Sequence, residues 1–487
     1  MLPSTRLLRF PSILAAVTSV AHAVRLPDHS SIGDLRPRAV SGNSSASIAT
    51  FQNIWYFVNM TVGGQVYPTV IDTGRSVVIP VRATECYCLT INLTWPSSAD
   101  MWIYANVSNT TPTGVNASLV YAVGNVEGDI YEAPLSFAGY DVPSQSFIQV
   151  QNASGLGLNP RDAGWTAVVG LGPPKGSDVY KAMGNTTAAL PMMNQIFKQN
   201  AMAQNYITLH LPRAYDPDTS AVGTMTISEP IPGHESILNQ TKLLVPILSA
   251  KQLTTQQQHW ATLTDVDGVI GPNGQSMNVT GNSTASAGTG QLVAVFDSGY
   301  TFPQVPKAIT DALYGGVPGA NYSESDGFWI VPCTQELNIT FVFGGQKIFV
   351  HPLDVTMSAT PDIPINSSSI CVGTFQTIGP TAASGDYDMI LGMDFLRNVD
   401  LLLDYGNFSL ETSTDQVAPY IQLLATTNAT EAHNDFVNVR INNSSTSTST
   451  STPSNSKSAA IISAPIRGIG YWLYVCAGLA ATVIFLA

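Results

Sequence analysis

The sequence predicts an all-β protein built from two related halves. Two apolar runs end in the same way, in Val70-Ile71-Asp72-Thr73-Gly74 and in Val295-Phe296-Asp297-Ser298-Gly299. The apolar residues are typical of buried strands, and each glycine predicts a tight turn that presents the aspartate at the strand end. The chain has 487 residues with 39 glycines, 31 prolines and only 11% charged residues. It is therefore long enough for two lobes and rich in turn-forming residues.

A second pair of matching motifs follows the two aspartates at nearly equal distances. In Val168-Val169-Gly170-Leu171-Gly172, Gly170 lies 98 residues after Asp72. In Ile390-Leu391-Gly392, Gly392 lies 95 residues after Asp297. One aspartate turn alone is weak evidence, because such turns are common in β proteins. The repeated order and spacing indicate an internal duplication that contributes one aspartate from each half.

Two carboxyl groups that lie side by side have a known chemistry. Like charges about 3 Å apart cannot both ionise, so the pair shares one proton and its two pKa values separate. The ionised member can take a proton from water while the protonated member donates to a carbonyl. Asp72 and Asp297 are therefore candidate catalytic residues for peptide hydrolysis with neither a metal nor a covalent intermediate. Neither is assigned as the permanent acid, because titration belongs to the pair.

From about Trp55 to about Leu424, the chain resembles the pepsin-like aspartic proteases. The motifs that carry the resemblance are the two aspartate runs, the two glycine runs with Met393-Asp394-Phe395-Leu396-Arg397 after the second, and Tyr121-Ala122-Val123-Gly124-Asn125-Val126-Glu127-Gly128. The resemblance implies a bilobal β fold with a central cleft and an extended peptide as substrate. It also implies a flap in which Tyr121, with Gly124 after it, closes over the substrate. The alternative for Tyr121 is an ordinary strand aromatic.

The resemblance gives supporting roles to the residues that follow each aspartate. Thr73 and Ser298 are expected to carry the hydrogen bonds between the lobes that hold both turns flat. Gly74 and Gly299 belong to the same turns.

The next position in each turn departs from the family pattern. The family usually has serine or threonine there, and its hydroxyl donates to the outer oxygen of the aspartate. In this chain the residues are Arg75 and Tyr300. Arg75 could donate to Asp72 and lower the pKa values of the pair, or it could point toward the cleft and select acidic or polar side chains. We expect the loss of the two hydroxyls to weaken control over the pKa values of the aspartate pair without removing the pair itself.

Two pairs of cysteines require different interpretations. The resemblance implies a disulfide between Cys333 and Cys371, which in the chain-entropy description would stabilise the fold by roughly 3–4 kcal/mol. Cys86 and Cys88 follow the first aspartate motif, where the family has a small disulfide loop. Only Tyr87 separates them, so a bridge would be strained. A disulfide and two buried thiols both remain open for this pair.

Composition and motifs exclude several other classes of protein. The net charge of −13 and the pI of about 4.8 argue against nucleic acid as a partner, and an acidic surface suits work at low pH. The seven histidines are scattered without an HExxH motif, so we expect no metal site. No GxSxG elbow or P-loop occurs, and no cofactor is expected. We expect a monomer. Asp394, near the second glycine turn, is expected to have a structural role at the surface.

Both ends of the chain predict export. Arg6 and Arg9, an apolar run and Ala21-His22-Ala23 indicate a signal peptide over residues 1–23. Residues 24–48 are either a short pro-segment or a linker. Sequons are frequent and predict a glycoprotein; examples are Asn59, Asn92, Asn106, Asn116, Asn152, Asn278, Asn338 and Asn407.

The C-terminal composition predicts a surface anchor. Residues 425–458 are rich in Ser, Thr and Asn, which is typical of a glycosylated stalk. Tyr471 to Ala487 is an apolar run of 17 residues with no basic residue after it. Small residues and a spacer precede it, so residues 459–487 indicate a GPI-attachment signal that is removed, in preference to a membrane span.

The predicted lobes occupy residues 49–228 and 229–424. The elements predicted within them are strands at Ile54–Val58, Thr69–Ile71 and Tyr206–Leu211, a turn at Gly63-Gly64, a helix in Pro191–Met202, and a mobile glycosylated loop at Gly271–Gly290. The overall expectation is a secreted, GPI-anchored aspartic endopeptidase of the fungal type, acting on peptides at acidic pH. The alternative is a catalytically weak or inactive protease-like glycoprotein that binds peptide or cell-wall polymer.

Overall fold

The structure is a computed structural model, and its described residues all belong to one compact unit within residues 37–487. The described residues are 44–51, 53–74, 100–120, 125–154, 164–172, 177–199, 204–213, 222–245, 259–283, 288–324, 327–358, 369–379, 387–406 and 418–442. The predictions for the signal peptide, most of segment 24–48, Arg75, Cys86, Cys88, Tyr121, Gly124 and residues 443–487 lie outside them.

Strands dominate both halves of the molecule. Those before residue 229 are β1 (Ser45–Phe51), β2 (Trp55–Val62), β3 (Gln65–Asp72), β4 (Met101–Ile103), β5 (Thr111–Val120), β6 (Asn125–Phe137), β7 (Tyr140–Ser154), β8 (Ala167–Gly170), β9 (Tyr206–His210) and β10 (Gly223–Ile227). Those after it are β11 (Leu243–Leu244), β12 (Ala261–Leu263), β13 (Val269–Ile270), β14 (Val293–Phe296), β15 (Gln304–Val305), β16 (Asn321–Ser323), β17 (Phe328–Pro332), β18 (Ile339–Phe343), β19 (Gln346–Val350), β20 (Thr356–Ser358), β21 (Ile370–Gly373), β22 (Gln376–Thr377), β23 (Met389–Leu391), β24 (Val399–Asp404) and β25 (Tyr420–Ala425).

Helices are short. They are α1 (Asp178–Ala182), α2 (Met192–Phe197), α3 (Lys307–Tyr314), α4 (Pro352–Val355), α5 (Met393–Leu396) and α6 (Ala429–Phe436), with 3-10 turns at Thr187–Ala189 and Glu235–Asn239 and a π-helical turn at Val437–Asn442. Among the described residues, none of these helices has the length and apolar character needed to cross a bilayer.

The internal duplication predicted from the motifs is present in the sheets. In the first half, β3 runs parallel to β8, and Asp72 lies opposite Gly170. In the second half, β14 runs parallel to β23, and Phe296 lies opposite Leu391. Each strand that leads to an aspartate is therefore paired with the strand of a glycine motif, and the same arrangement occurs twice.

One sheet runs through both halves. Its order is β11-β25-β24-β9-β10-β1-β2-β3-β8-β4-β7-β6-β5 among the described strands. The strands β24 and β25 come from the second half, and β24 pairs antiparallel with β9 of the first half. The main hydrophobic core is likewise shared, because Ile71 and Phe296 are both fully buried in the same cluster. Burying side chains of this size stabilises a fold by about 1.5–3 kcal/mol each.

Most predicted elements near the first aspartate are confirmed. Predicted strand 69–71 lies within β3, and predicted strand 54–58 lies within β2 from Trp55 on, because Ile54 belongs to the preceding turn. The turn between the two strands uses Gly63 and Gly64 with φ of 59° and 87°. Strand β9 lies within the predicted strand 206–211. The predicted helix 191–202 is shorter than expected, since α2 ends at Phe197. Its buried residues are Met192, Met193 and Ile196, and the next residues, Lys198 and Gln199, offer no apolar side chain to extend the buried face.

The segment expected to be a mobile loop, 271–290, is anchored where it is described. Val279 is buried, and the main-chain N–H groups of Asn282 and Ser283 donate to Oδ1 of Asp388 over 2.7 and 2.8 Å. The Ser283 hydroxyl donates to Oδ2 of the same carboxylate over 2.9 Å. The loop expectation missed this anchor because Asp388 is about a hundred residues further along the chain.

The expected start of the glycosylated stalk at residue 425 is wrong, because the chain stays folded to residue 442. Asn428 caps α6 by accepting from the N–H groups of Thr430 and Glu431. Ala432 and Phe436, four residues apart on one face, are each only 1% exposed. Residues 425–458 are polar on average, so their composition did not indicate the short amphipathic helix near the start of the segment.

Asp394 is also placed differently from the prediction, since it is buried rather than at the surface. It pairs with Arg397 one helical turn on, and Arg397 also binds Asp354 over 2.8 Å. The same guanidinium donates to the carbonyl of Asn53 over 2.9 Å and to the hydroxyl of Tyr56 over 3.4 Å. This buried ionic group therefore ties α5 to the first half of the chain.

Candidate active site

Asp72 and Asp297 occupy equivalent places in the two halves. Asp72 is the last residue of β3, and Asp297 directly follows β14. Their exposed fractions are 4% and 0%. In both halves the part of the strand just before the aspartate consists of buried apolar residues that pack in the core. The aspartate at the end of each strand is therefore buried as well, and its carboxyl group is removed from water.

The two aspartate turns interlock through Thr73 and Ser298. The Thr73 N–H donates to the Ser298 hydroxyl over 3.1 Å, and the Ser298 N–H donates to the Thr73 hydroxyl over 2.9 Å. The Ser298 hydroxyl donates to the Ile71 carbonyl over 2.9 Å, and the Thr73 hydroxyl donates to the Phe296 carbonyl over 3.1 Å. Four hydrogen bonds therefore fix one turn against the other.

The glycines in these turns show how closely the carboxyl groups approach. A Cβ atom on Gly74 would lie 1.9 Å from Cγ of Asp297. A Cβ atom on Gly299 would lie 2.7 Å from Oδ1 of Asp72 and 3.1 Å from Oδ1 of Asp297. Each turn thus runs against the carboxyl group of the other half, and a side chain at either glycine would occupy the space of the aspartates.

Main-chain donors and burial set the protonation of the pair. The Gly74 N–H donates to Oδ1 of Asp72 over 3.1 Å, and the Gly299 N–H donates to Oδ1 of Asp297 over 2.8 Å. Burial raises the pKa of Asp297 to about 6 despite these donors. Burial, together with the negative charge of Asp297, raises the pKa of Asp72 well above its usual range. The two carboxyl groups therefore share a proton, and their titration belongs to the pair.

Tyr300 does not take the place of the hydroxyl that the family pattern has after the second turn. Its ring packs on a small cluster that includes Val295, Tyr387 and Ile390. Oδ2 of Asp297 is buried and accepts no hydrogen bond from any described residue. Burial has the largest effect on the pKa of the Asp297 carboxyl group, and hydrogen bonds from Gly299, Asp72, Gly74 and the Tyr300 main chain act against it.

Two further buried carboxylates, which sequence reasoning missed, position the strands of the site. Asp100 accepts from the Ser177 hydroxyl over 2.5 Å and from the Asp178 N–H over 2.8 Å, while its own carbonyl accepts from the Gly170 N–H. Burial raises the pKa of Asp100 to about 7. In the second half, Asp388 accepts from the Val293 N–H at the start of β14 over 2.8 Å. The only signal in the sequence was an acid directly before a short apolar strand in each half.

The remaining predicted residues fall into two groups. Cys333 and Cys371 form a disulfide with Cα atoms 4.9 Å apart, as the resemblance implied. Arg75, Tyr121, Gly124, Cys86 and Cys88 lie outside the described residues, so their roles stay predictions.

Duplicated β halves with two interlocked Asp-hydroxyl-Gly turns define a class of protein, and comparison with known proteins agrees with it. The profile of the eukaryotic aspartyl proteases matches residues 55–228 and 248–414, which together exceed half of the chain. This chain belongs to the eukaryotic aspartyl protease family. Its fold is the bilobal, pepsin-like β fold with a central cleft between related lobes.

Individual relatives are distant. The probable aspartic-type endopeptidase CTSD of Trichophyton verrucosum is 25% identical over 59% of this chain, and the match spans 47% of that relative's length. An aspartic protease of Phaffia rhodozyma is 23% identical over 72% of this chain and 73% of its own length. A crystal structure of an aspartic proteinase from Irpex lacteus has a TM-score of 0.54 at 18% identity, covering 80% of this chain and 99% of that one. The solved structure supports the fold alone.

Proposed function

We propose that this protein is an aspartic endopeptidase in which Asp72 and Asp297 hydrolyse peptide bonds with an activated water. The observation that carries the proposal is the interlocking of the two turns through Thr73 and Ser298, which puts both buried carboxyl groups at one place. Names of the fungal relatives point to the same activity.

The proposed chemistry follows from the single proton that the pair shares. The ionised member of the dyad takes a proton from the water that attacks the scissile carbonyl carbon. The protonated member donates its proton to the carbonyl oxygen, so a neutral tetrahedral diol forms. The carboxyl group that took the water proton then gives it to the amide nitrogen, the other carboxylate takes a proton from a hydroxyl of the diol, and the carbon–nitrogen bond breaks. The products are a carboxylic acid and an amine, and the dyad again holds one proton.

The working pH should lie in the upper part of the acidic range. One member of the dyad must be ionised to act on water, and burial holds the pKa of Asp297 at about 6. Below that value the fraction of enzyme with a singly ionised dyad falls. We therefore propose that kcat/KM rises with pH between about 4 and 6, toward the pKa of Asp297.

Substrate contacts are proposed from the family resemblance. An extended peptide would lie in the cleft between the lobes, with Tyr121 and Gly124 in the flap that covers it and excludes water. Arg75 would either donate to Asp72 or favour acidic or polar side chains in the peptide.

We also propose that the protein is exported and displayed by a GPI anchor. Support comes from the predicted signal peptide, the C-terminal apolar run and the sequons at Asn59, Asn106, Asn116, Asn152 and Asn278, all of which are exposed. The stalk would begin after residue 442 rather than at 425. Treating intact cells with a phosphatidylinositol-specific phospholipase should release the protein. Retention after treatment that does release a known GPI-anchored protein would count against the anchor.

The activity is tested by peptide cleavage between pH 3 and 7 with the secreted wild-type protein. Asp72→Asn and Asp297→Asn should each reduce kcat/KM by about 10²–10⁴-fold, the range typical for a lost acid–base group. Asp311→Asn, an exposed aspartate paired only with Lys307 among described residues, serves as control and should cleave like wild type. A peptide mimic with a central hydroxyl group should inhibit. Equal cleavage by wild type and both dyad variants would show that the activity belongs to a contaminant.

The second candidate function is a catalytically weak or inactive protease-like glycoprotein that binds peptide. The observation that favours it is Oδ2 of Asp297, which lacks the hydroxyl donor that the family pattern supplies there. This function predicts saturable binding of the peptide mimic with little or no cleavage at any pH from 3 to 7. Efficient turnover that Asp72→Asn abolishes would exclude it.

A further inference from the structure

Two histidines and an aspartate that are distant in the sequence meet at the boundary between the two halves. His210 is the last residue of β9, and Asp400 lies opposite it on the neighbouring strand β24. His234 precedes the 3-10 turn Glu235–Asn239 on the connection between the halves. Separations of 190 and 166 residues from Asp400 explain why no sequence motif indicated a metal site.

The three side chains direct their polar atoms at one another. Nδ1 of His210 lies 2.7 Å from Oδ1 of Asp400, and Nδ1 of His234 lies 2.5 Å from Oδ2. The Asp400 side chain is fully buried, whereas the histidine side chains are 25% and 36% exposed. The two rings are nearly perpendicular, with centroids 5.5 Å apart. The group thus consists of a buried carboxylate and two partly exposed imidazole rings.

The buried charge of Asp400 requires a cation or a proton. A carboxylate only accepts hydrogen bonds, so each Nδ1 must carry a hydrogen when no metal is bound. Two neutral histidines leave a net charge of about −1 in the buried group, and buried charges are normally paired. Among the described residues, these two histidines lie within ion-pairing distance of the Asp400 carboxylate, and no lysine or arginine does.

We propose that His210, Asp400 and His234 form a structural divalent-metal site of the zinc type. Two imidazole nitrogens and a carboxylate oxygen are ligands that zinc prefers, whereas calcium and magnesium take oxygen ligands. A water molecule would complete the fourth position. Zinc bonds of about 2.0–2.1 Å in a tetrahedron place ligand atoms roughly 3.3 Å apart. The Nδ1 and carboxylate atoms must therefore separate by less than about 1 Å from their hydrogen-bonded positions, and the half-exposed rings can make that adjustment.

A metal here would join β9, β24 and the connection between the halves. It would stabilise the folded state because the three ligands come from segments that separate on unfolding. The metal would take no part in peptide hydrolysis, since the proposed reaction uses only the dyad and water.

The test is zinc binding by the full-length protein after chelator treatment and dialysis, followed by calorimetry and thermal unfolding. Wild type should bind one equivalent of Zn²⁺ and unfold at a higher temperature with it. Co²⁺ should give the visible absorption of a tetrahedral site. His234→Ala, a partly exposed position, should weaken Zn²⁺ binding by more than about 10-fold, and His210→Gln should do the same while keeping a polar side chain.

Two controls separate this site from others. His433 forms a single histidine–carboxylate pair with Glu336 over 2.8 Å, so His433→Ala should bind Zn²⁺ like wild type. Asp72→Asn should also bind normally, which excludes the dyad as the binding site. Absence of binding by wild type, or binding unchanged in both His234→Ala and His210→Gln, would overturn the proposal.

Discussion

Thr73 and Ser298 each offer a main-chain N–H to the hydroxyl of the other, although 225 residues separate them. Each hydroxyl also donates to a carbonyl of the opposite half. The pair therefore couples the fold to the site, because the same bonds that join the halves also set the position of both aspartates.

Removing one of these hydroxyls should cost both stability and rate. Thr73→Val keeps the side-chain shape but leaves the Ser298 N–H and the Phe296 carbonyl without their partner, at a cost of about 1–3 kcal/mol in the free energy of unfolding. Thr73→Ser keeps the hydroxyl and loses only a methyl group. We expect Thr73→Val to be the less stable and the less active of the two in urea unfolding and peptide cleavage. Equal behaviour of the two variants would mean that the hydroxyl bonds are unimportant.

Gly74 should not tolerate even a methyl group. Because a Cβ atom there would lie 1.9 Å from Cγ of Asp297, Gly74→Ala must displace the second carboxyl group. Displacements near 1 Å in a catalytic group can cost about 10²-fold in rate, and we expect a loss in kcat/KM of that size or more. Gly316 is a matched control, since a Cβ atom there meets nothing within 4 Å. Gly316→Ala should retain wild-type kcat/KM, and full activity of Gly74→Ala would contradict the described turn.

Tyr300→Ser should shift the acid limb of the pH–rate profile to lower pH. A hydroxyl that donates to Oδ2 of Asp297 would favour the ionised carboxylate, whose pKa burial has raised to about 6. One added hydrogen bond corresponds to about 0.5–1 pH unit. The measurement is kcat/KM from pH 3 to 7, with Tyr300→Phe as control because it keeps the ring. A limb that moves equally in both variants would exclude the hydroxyl as the cause.

Asp297→Asn should stabilise the protein at neutral pH while abolishing cleavage. The pKa of Asp297 is raised in the folded protein, so its protonated form is favoured there. A raised carboxyl pKa gives stability that is present below about pH 4 and lost as pH rises through about 6. The amide has no charge to bury, and we expect a gain of about 1–3 kcal/mol at pH 7.5 that shrinks toward zero at pH 4. Thermal unfolding at both pH values checks it, and a gain independent of pH would point to another cause.

The sequence predicted the centre of the molecule better than its periphery. The aspartate and glycine motifs are local patterns of apolar residues and turns, and their repetition was enough to predict the internal duplication, which the structure shows as the pairing of β3 with β8 and of β14 with β23. The shared burial of Asp72 and Asp297 then follows from the strands that lead to them.

Features that depend on distant residues could not be predicted in this way. Arg397 pairs with Asp354, 43 residues before it, and with the carbonyl of Asn53, 344 residues before it. Placing Asp394 at the surface therefore failed, because its burial depends on Arg397 and on partners from the other half. Helix α6 was missed because two buried residues, Ala432 and Phe436, are few among polar neighbours.

The pairing of β24 with β9 also decides how the molecule can be divided. Five register pairs, from Asp400 opposite His210 to Asp404 opposite Tyr206, cross from one half to the other. If the chain were divided between the two halves, β9 and β24 would each be left with unpaired main-chain N–H and carbonyl groups. The repeat can thus be recognised in the sequence, yet we expect neither copy to fold on its own.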